Sequence, residues 1–315
     1  QYDKQMAYQA QLDSVARVER AAEMAAQALE DSLENALHTE SVFQDSAVRP
    51  AISIYKDSLL NVAASGEERI ITIGNDKIEV AFTTRGAQPY SARVKDYRNY
   101  DSTDLYIFRP GGSEMGIGIY AGETINTKNF YFNVEEVTDT SVVMSLPFTG
   151  GGRIVQRYAL AEGSYMMTNT LTFKGMDNVI PRNATYCDFD WALTIPRMEK
   201  GYKNEMQYSK VNYYFEGDKK PEEIGRGRNN SKRIENSLEW FAFQQQFFSA
   251  IVRPDSKFSS GQVSVEFRPE DDAERNLMDC AAKMRSGFQI SDNVVMVKDF
   301  YLGPNHYQTL KSYGR

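Results

Sequence analysis

From residue 69 to residue 302 apolar and polar side chains alternate with a period of two, in short runs with no segment of helical period between them. An extended chain turns successive side chains to opposite faces, so each run reads as a strand with one apolar and one wet face. Ile78, Val80 and Phe82 alternate with Lys77, Glu79 and Ala81, and Phe130, Phe132 and Val134 with Tyr131, Asn133 and Glu135. The pattern returns in Val142, Met144 and Leu146, in Ile154, Gln156, Tyr158 and Leu160, and in Tyr165, Met167, Asn169, Leu171 and Phe173. Cys187, Phe189, Trp191, Leu193 and Ile195 form the inward face of another strand, opposed by Tyr186, Asp188 and Asp190. Residues 211–215, 247–252, 263–267 and 294–302 fit further strands. About fifteen strands without crossover helices exclude a parallel α/β fold. The expected body is all-β and mainly antiparallel, two large sheets packed face to face over residues 69–302.

Helical flanks are expected on both sides. Residues 2–37 hold no Gly or Pro and are rich in Ala, Gln, Glu and Leu, which lose little on entering a helix. Leu12, Val15, Val18, Ala22, Ala25, Leu29, Leu33 and Leu37 recur every three or four residues as one narrow apolar stripe. Such a stripe packs along the sandwich, joins a self-associating coiled coil or lines a stalk. The long helix is placed over 1–40, and a linker over 41–68 with one short helix near 55–62, interrupted by Pro50 and closed by Ser65, Gly66, Glu67 and Glu68. At the other end Gly303 and Pro304 are expected to open a short helix over 303–315, with Pro in the first turn where its missing N–H costs nothing. Tyr307 and Leu310 would face the sheets.

Charge narrows the function. A net charge of −7 and a pI near 5.2 argue against a general nucleic-acid binder, which needs a basic surface to neutralise phosphates. The one dense basic stretch is Arg226, Arg228, Lys232 and Arg233, among Gly225, Gly227, Asn229, Asn230 and Ser231. It reads first as a solvated loop, and secondly as a contact for anionic headgroups or an acidic partner. Cys187 and Cys280 are the only cysteines, expected as two buried thiols. The 41% apolar content and mean hydropathy of −0.53 fit a folded, soluble body. No window reaches the run of about 20 apolar residues that a membrane helix needs, and no signal-peptide core is evident. These features fit a cytoplasmic protein or an excised exported fragment equally.

Large sandwiches include sugar-processing enzymes, so chemistry must be sought explicitly. Proton transfer on a sugar draws on imidazoles and carboxylates poised near neutrality. The two histidines, His38 and His306, fall in the expected terminal helices, away from any sandwich face. No H-x-x-x-H or C-x-x-C spacing offers a metal site. Asp188 and Asp190, two apart beside Trp191, are the best carboxylate pair for glycoside chemistry, with an ordinary polar outer face as the simpler account. The runs Gly111-Gly112 and Gly150-Gly151-Gly152 lie outside any phosphate-binding frame and read as turns. No catalytic, cofactor or metal residue is assigned.

Three segments carry a resemblance. The run VKDFYLGPNHYQTLKSYG at 297–314 resembles the strand-Gly-Pro-helix segment that leads into the second membrane span of YidC-type membrane protein insertases. WFAFQQQFFSA at 240–250 is similar to a strand pair of the same family's periplasmic domain. VAFTTRGA at 80–87 resembles its opening strands and T-x-G-G turn, with Ala87 in place of the second glycine, a departure that concerns only the turn. The similarity covers residues 68–314, about three quarters of the chain.

The resemblance implies a β-supersandwich of galactose-mutarotase type on the periplasmic face of the bacterial inner membrane, without enzymatic activity or cofactor. It implies a docking and chaperone-like role with the Sec translocon, its SecDF components and nascent membrane proteins. By the same likeness Gly303, Pro304, Tyr307 and Leu310 would fix the domain's pose, and Lys311 and Arg315 would lie near headgroups. A carbohydrate-binding or sugar-active sandwich is the alternative.

Overall fold

In the computed structural model the chain divides into two units, Gln1–Arg49 and Pro50–Arg315. The structure describes residues 66–121, 124–149 and 151–306, all in the second unit. The expected helix over 1–40, the short helix near 55–62 and residues 307–315, with Tyr307, Leu310, Lys311 and Arg315, lie outside the described residues.

Four strands, β1 (Ile70–Gly74), β2 (Ile78–Thr83), β3 (Gln88–Arg98) and β4 (Asp104–Phe108), form one small sheet in sequence order. The others are β5 (Ser113–Tyr120), β6 (Thr124–Asn126), β7 (Asn133–Val137), β8 (Ser141–Pro147), β9 (Arg153–Leu160), β10 (Met166–Lys174), β11 (Tyr186–Pro196) and β12 (Lys210–Phe215). They continue with β13 (Glu222–Gly225), β14 (Asn230–Ile234), β15 (Leu238–Gln244), β16 (Phe248–Pro254), β17 (Phe258–Phe267), β18 (Asn276–Gly287) and β19 (Asn293–Pro304). One short helix, α1 (Tyr202–Tyr208), joins β11 to β12.

The large sheet runs β6-β5-β11-β18-β17-β15-β16-β19-β10-β9-β8-β7, with β12 and β13 branching from β15 and β14 from β17. Every pairing is antiparallel, both in hairpins such as β8 with β9 and between strands distant in sequence such as β10 with β19. The link between β17 and β15 is a single residue pair, Phe258 with Leu238. On either side of it the strands fold back as two layers. Phe189 of β11 meets Phe300 of β19 with ring centroids 6.4 Å apart, although four strands separate them in the sheet order. The expected two-layered antiparallel sandwich is thus present.

Trp191 is the centre of the core, 1% exposed. Its ring lies 5.5 Å from Phe243 of β15, 5.3 Å from Phe300 of β19 and 6.3 Å from Phe108 of β4. One side chain therefore joins both layers and the small sheet. Each aromatic pair of this kind adds about 0.5–1.5 kcal/mol beyond its buried area. A second seam joins the small sheet to β9: Phe82 packs 4.6 Å from Tyr158, whose hydroxyl donates to the Ala87 carbonyl at 2.8 Å.

Two expectations need correction. Phe130 and Phe132 are buried but precede the strand, which begins at Asn133. The Asn126 side chain accepts from the Lys128 N–H and caps a short 3-10 turn over Thr127–Asn129, so the chain arrives late at strand geometry. Gly303 and Pro304 do not open a helix. They end β19, where Gly303 pairs with Ser249 and Pro304 with Phe248, and the ladder to β16 holds them extended. A Cβ on Gly303 would fall 2.7 Å from the Tyr165 ring. The glycine thus serves close packing of the strand.

Candidate functional site

The carboxylate pair is taken up by the fold. Asp188 and Asp190 share a face of β11, opposite Gly118 and Gly116 of β5 and opposite Arg285 and Lys283 of β18. Asp188 accepts from Arg285 Nε at 2.9 Å, and that guanidinium lies 3.7 Å from the Tyr186 ring centroid. Asp190 accepts from Asn126 Nδ2 at 2.9 Å. Burial raises its carboxyl above the usual range, opposed by Lys283 and Lys128. The two are bound to different partners and converge on no common point.

Cys187 and Cys280 are free and buried. Cys187 pairs with Ser286 and Cys280 with Leu193, six residues along β11 from Cys187. That is about 20 Å at the rise of a strand, far outside disulfide reach. Burial pushes the Cys187 thiol up to about 11, which makes it inert at neutral pH. Close by is a lysine in an apolar phase. Lys298 is buried, its ammonium 5.2 Å from the Phe189 ring, and burial lowers its pKa against the charges of Cys187 and Asp255. Its place between Met296 and Phe300 in the alternation is the signal that would have found it.

Polar groups converge instead where the described chain ends. Asn305 donates from its backbone to the Phe247 carbonyl at 2.7 Å and from Nδ2 to the Gln245 and Gln246 carbonyls at 3.0 and 3.3 Å. Its Oδ1 accepts from Ser249 Oγ at 2.6 Å. One asparagine thus saturates the turn between β15 and β16 and ties the end of β19 to it. His306 follows and is exposed.

Behind this turn stands Glu205 of α1, fully buried. Its Oε1 accepts from the Met198 and Glu199 N–H groups at 2.7 and 3.2 Å and from Gln245 Nε2. Arg197 Nε lies 4.0 Å from Oε2. Burial pushes the carboxyl up to about 7, opposed by those N–H groups and by Arg197. A connected path therefore runs Arg197, Glu205, Gln245, Asn305, from the end of β11 to the end of β19. Glu205 and Arg197 went unmarked in the sequence, because burial of a charged side chain in a seven-residue helix leaves no periodic trace.

The basic stretch spans two elements. Arg226 and Arg228 occupy the turn between β13 and β14, while Lys232 and Arg233 belong to β14. Arg226 and Lys210 both pair with Glu223. A Cβ on Gly227 would lie 3.3 Å from the Met206 side chain, so this turn rests on α1. Among the described residues no three or more His, Cys, Asp or Glu side chains are grouped to hold a metal. No helix among them is long and apolar enough to cross a membrane.

The family model of the YidC periplasmic domain matches residues 70–315. The chain belongs to this family. Over 254 residues it is 29% identical to the membrane protein insertase YidC of Bacteroides fragilis, covering 80% of this chain and 41% of that protein. The corresponding insertase of Phocaeicola vulgatus is 28% identical over 305 residues, 96% of this chain and 46% of the relative. That of Parabacteroides distasonis is 27% identical, covering 100% and 49%. The chain thus spans somewhat under half the length of these relatives. Among solved structures, a galactose mutarotase-like protein from Lactobacillus casei aligns with TM-score 0.48 and 12% identity over 74% of this chain and 100% of that one. A putative aldose 1-epimerase from Escherichia coli aligns with TM-score 0.46 and 10% identity, covering 75% and 99%.

Proposed function

We propose that this chain is the extracytoplasmic domain of a membrane protein insertase, placed at the periplasmic face of the bacterial inner membrane and acting without turnover of its own. The observation that carries this reading is the family match over residues 70–315. The hydrogen-bonded clamp that Asn305 makes at the end of β19 supports it, because a domain that positions clients needs a rigid junction with the rest of its protein. Its role is docking and chaperone-like. It holds nascent membrane proteins beside the Sec translocon and the SecDF components while other parts of the insertase act on them.

The test uses the full-length protein in cells depleted of their own insertase. Photocrosslinking side chains at exposed positions such as Tyr120, Val137 and Val295 are expected to capture Sec components or client segments. Insertion of a reporter membrane protein should fall when residues 70–306 are deleted. Normal insertion after deletion, with no crosslink to any of these partners, would overturn the reading.

A further inference from the structure

We propose that the rim around the end of β19 is a bilayer-binding surface, in which Tyr97, Tyr208 and Phe247 enter the headgroup boundary and Arg226, Arg228 and Lys203 hold anionic headgroups. The inference rests on the insertase reading for the presence of a membrane, and on the following geometry for the choice of surface.

Strand register gathers these residues at one end of the sheet. Lys210, the first residue of β12, pairs with both Gln244, the last of β15, and Gly225, the last of β13. Arg226 continues the rim by donating its N–H to the Ser209 carbonyl at 2.9 Å. Tyr208 precedes that serine, and Phe247 projects from the turn that Asn305 clamps. Tyr97 packs edge-on against Phe248, 5.2 Å between centroids, and Phe248 pairs with Pro304. Tyr97, Tyr208 and Phe247 are 39%, 53% and 49% exposed. Three large aromatic side chains held open by well-packed backbone beside a chain exit make the kind of belt that seats at a membrane interface.

The charge agrees. The protein carries −7 overall, yet from Phe300 to Arg315 the sequence has Lys311, Arg315 and His306 and no acidic residue. Lys200 and Lys203 are exposed on the approach to α1 and on its open face, with Arg226 and Arg228 on the turn against it. The acidic groups here are Glu223, occupied by Lys210 and Arg226, exposed Glu222, which accepts from the Tyr213 hydroxyl, half-buried Glu199 and fully buried Glu205. To these are added exposed Glu270 near Tyr202 and Asp96 beside Tyr97, which pairs with Lys77. Each basic side chain near an anionic leaflet contributes about fivefold to partitioning, and aromatic insertion adds salt-independent affinity. A neutral or repelling body thereby presents one adhesive end.

The test is flotation of the 315-residue chain with phosphatidylcholine vesicles, with and without one third phosphatidylglycerol, at low and high salt. Binding is expected on the anionic vesicles, weakened by salt. Arg226→Gln with Arg228→Gln should lower it about tenfold or more, and Phe247→Ser with Tyr208→Ser should lower it at high salt as well. Both double variants must keep the parent's urea midpoint, and they leave residues 307–315 intact, so a contribution of that tail alone does not imitate the result. Unchanged binding in both variants, or no binding by the parent, overturns the proposal. Lost vesicle binding with crosslinks to Sec components or clients retained sinks the surface and spares the insertase reading. Vesicle binding without those crosslinks does the reverse.

Discussion

At Gly303 one hydrogen atom keeps the last strand against the Tyr165 ring. A methyl group there would lie 2.7 Å from Cγ and 2.9 Å from Cβ of that tyrosine. The ring has little room to retreat, since it packs 6.1 Å from Tyr301 and the Leu302 N–H bonds the Tyr165 carbonyl. Gly303→Ala should therefore destabilise the chain by about 2 kcal/mol through overpacking, read as a lower urea midpoint. The clash makes a sharper statement: in a Tyr165→Ala background the same substitution should cost much less, a coupling that a double-mutant cycle measures. Equal costs in both backgrounds would show that the Tyr165 ring is not what excludes a side chain at Gly303. Ala87, by contrast, is held at φ 48, a left-handed backbone that favours glycine, with its methyl buried.

At the scale of elements, α1 and the turn between β15 and β16 are joined by the Glu205 carboxyl, and this junction should respond to pH. Folding raises this group from its usual 4.5 to about 7 by burial. The folded state thus holds the proton more tightly than the unfolded one. Its ionisation in the fold carries a cost that grows from near pH 4.5 to pH 7 and is complete above that, amounting to about 3 kcal/mol. Glu205→Gln keeps an oxygen for the N–H groups of Met198 and Glu199 and removes the ionisation. The variant should be more stable than the parent by about 2 kcal/mol at pH 8 and nearly equal to it at pH 5, measured as urea midpoints at both. A constant difference across that range would remove the titration argument. Such junctions are the part of the molecule that sequence hides. Period-two alternation marks β8 to β11 because each buries one face, and it places Gln156, Asn169 and Lys298 in an apolar phase. It fails at Gly303 and Pro304, where helix-opening chemistry is present but a strand partner at Ser249 and Phe248 prevails. It is silent on Tyr208, Phe247 and Arg226, which come to one end of the sheet only through register between strands distant in sequence.

On the scale of the whole molecule, the open question is whether two layers linked by one residue pair, Leu238 with Phe258, unfold as one. Hydrogen bonds alone would permit separation, because that link is a weak hinge. The core argues otherwise. Trp191 is shared by β4, β15 and β19, and Phe189 stacks on Phe258 at 6.0 Å while touching Phe300 of the opposite layer. Parting the layers would expose these aromatic surfaces together, at a cost of about 1.5–3 kcal/mol for each large side chain. Separate unfolding of either layer is thereby disfavoured. The second tryptophan, Trp240, stacks on Tyr214 at 5.7 Å away from this centre, so Trp240→Phe leaves Trp191 as the sole indole reporter. In urea its fluorescence should change at the same midpoint as the near-ultraviolet circular dichroism of the packed tyrosines, the signature of a single transition. Two separated midpoints would mean that the layers are independent and that the hinge at Leu238 and Phe258, not the shared aromatic core, governs the stability of the sandwich.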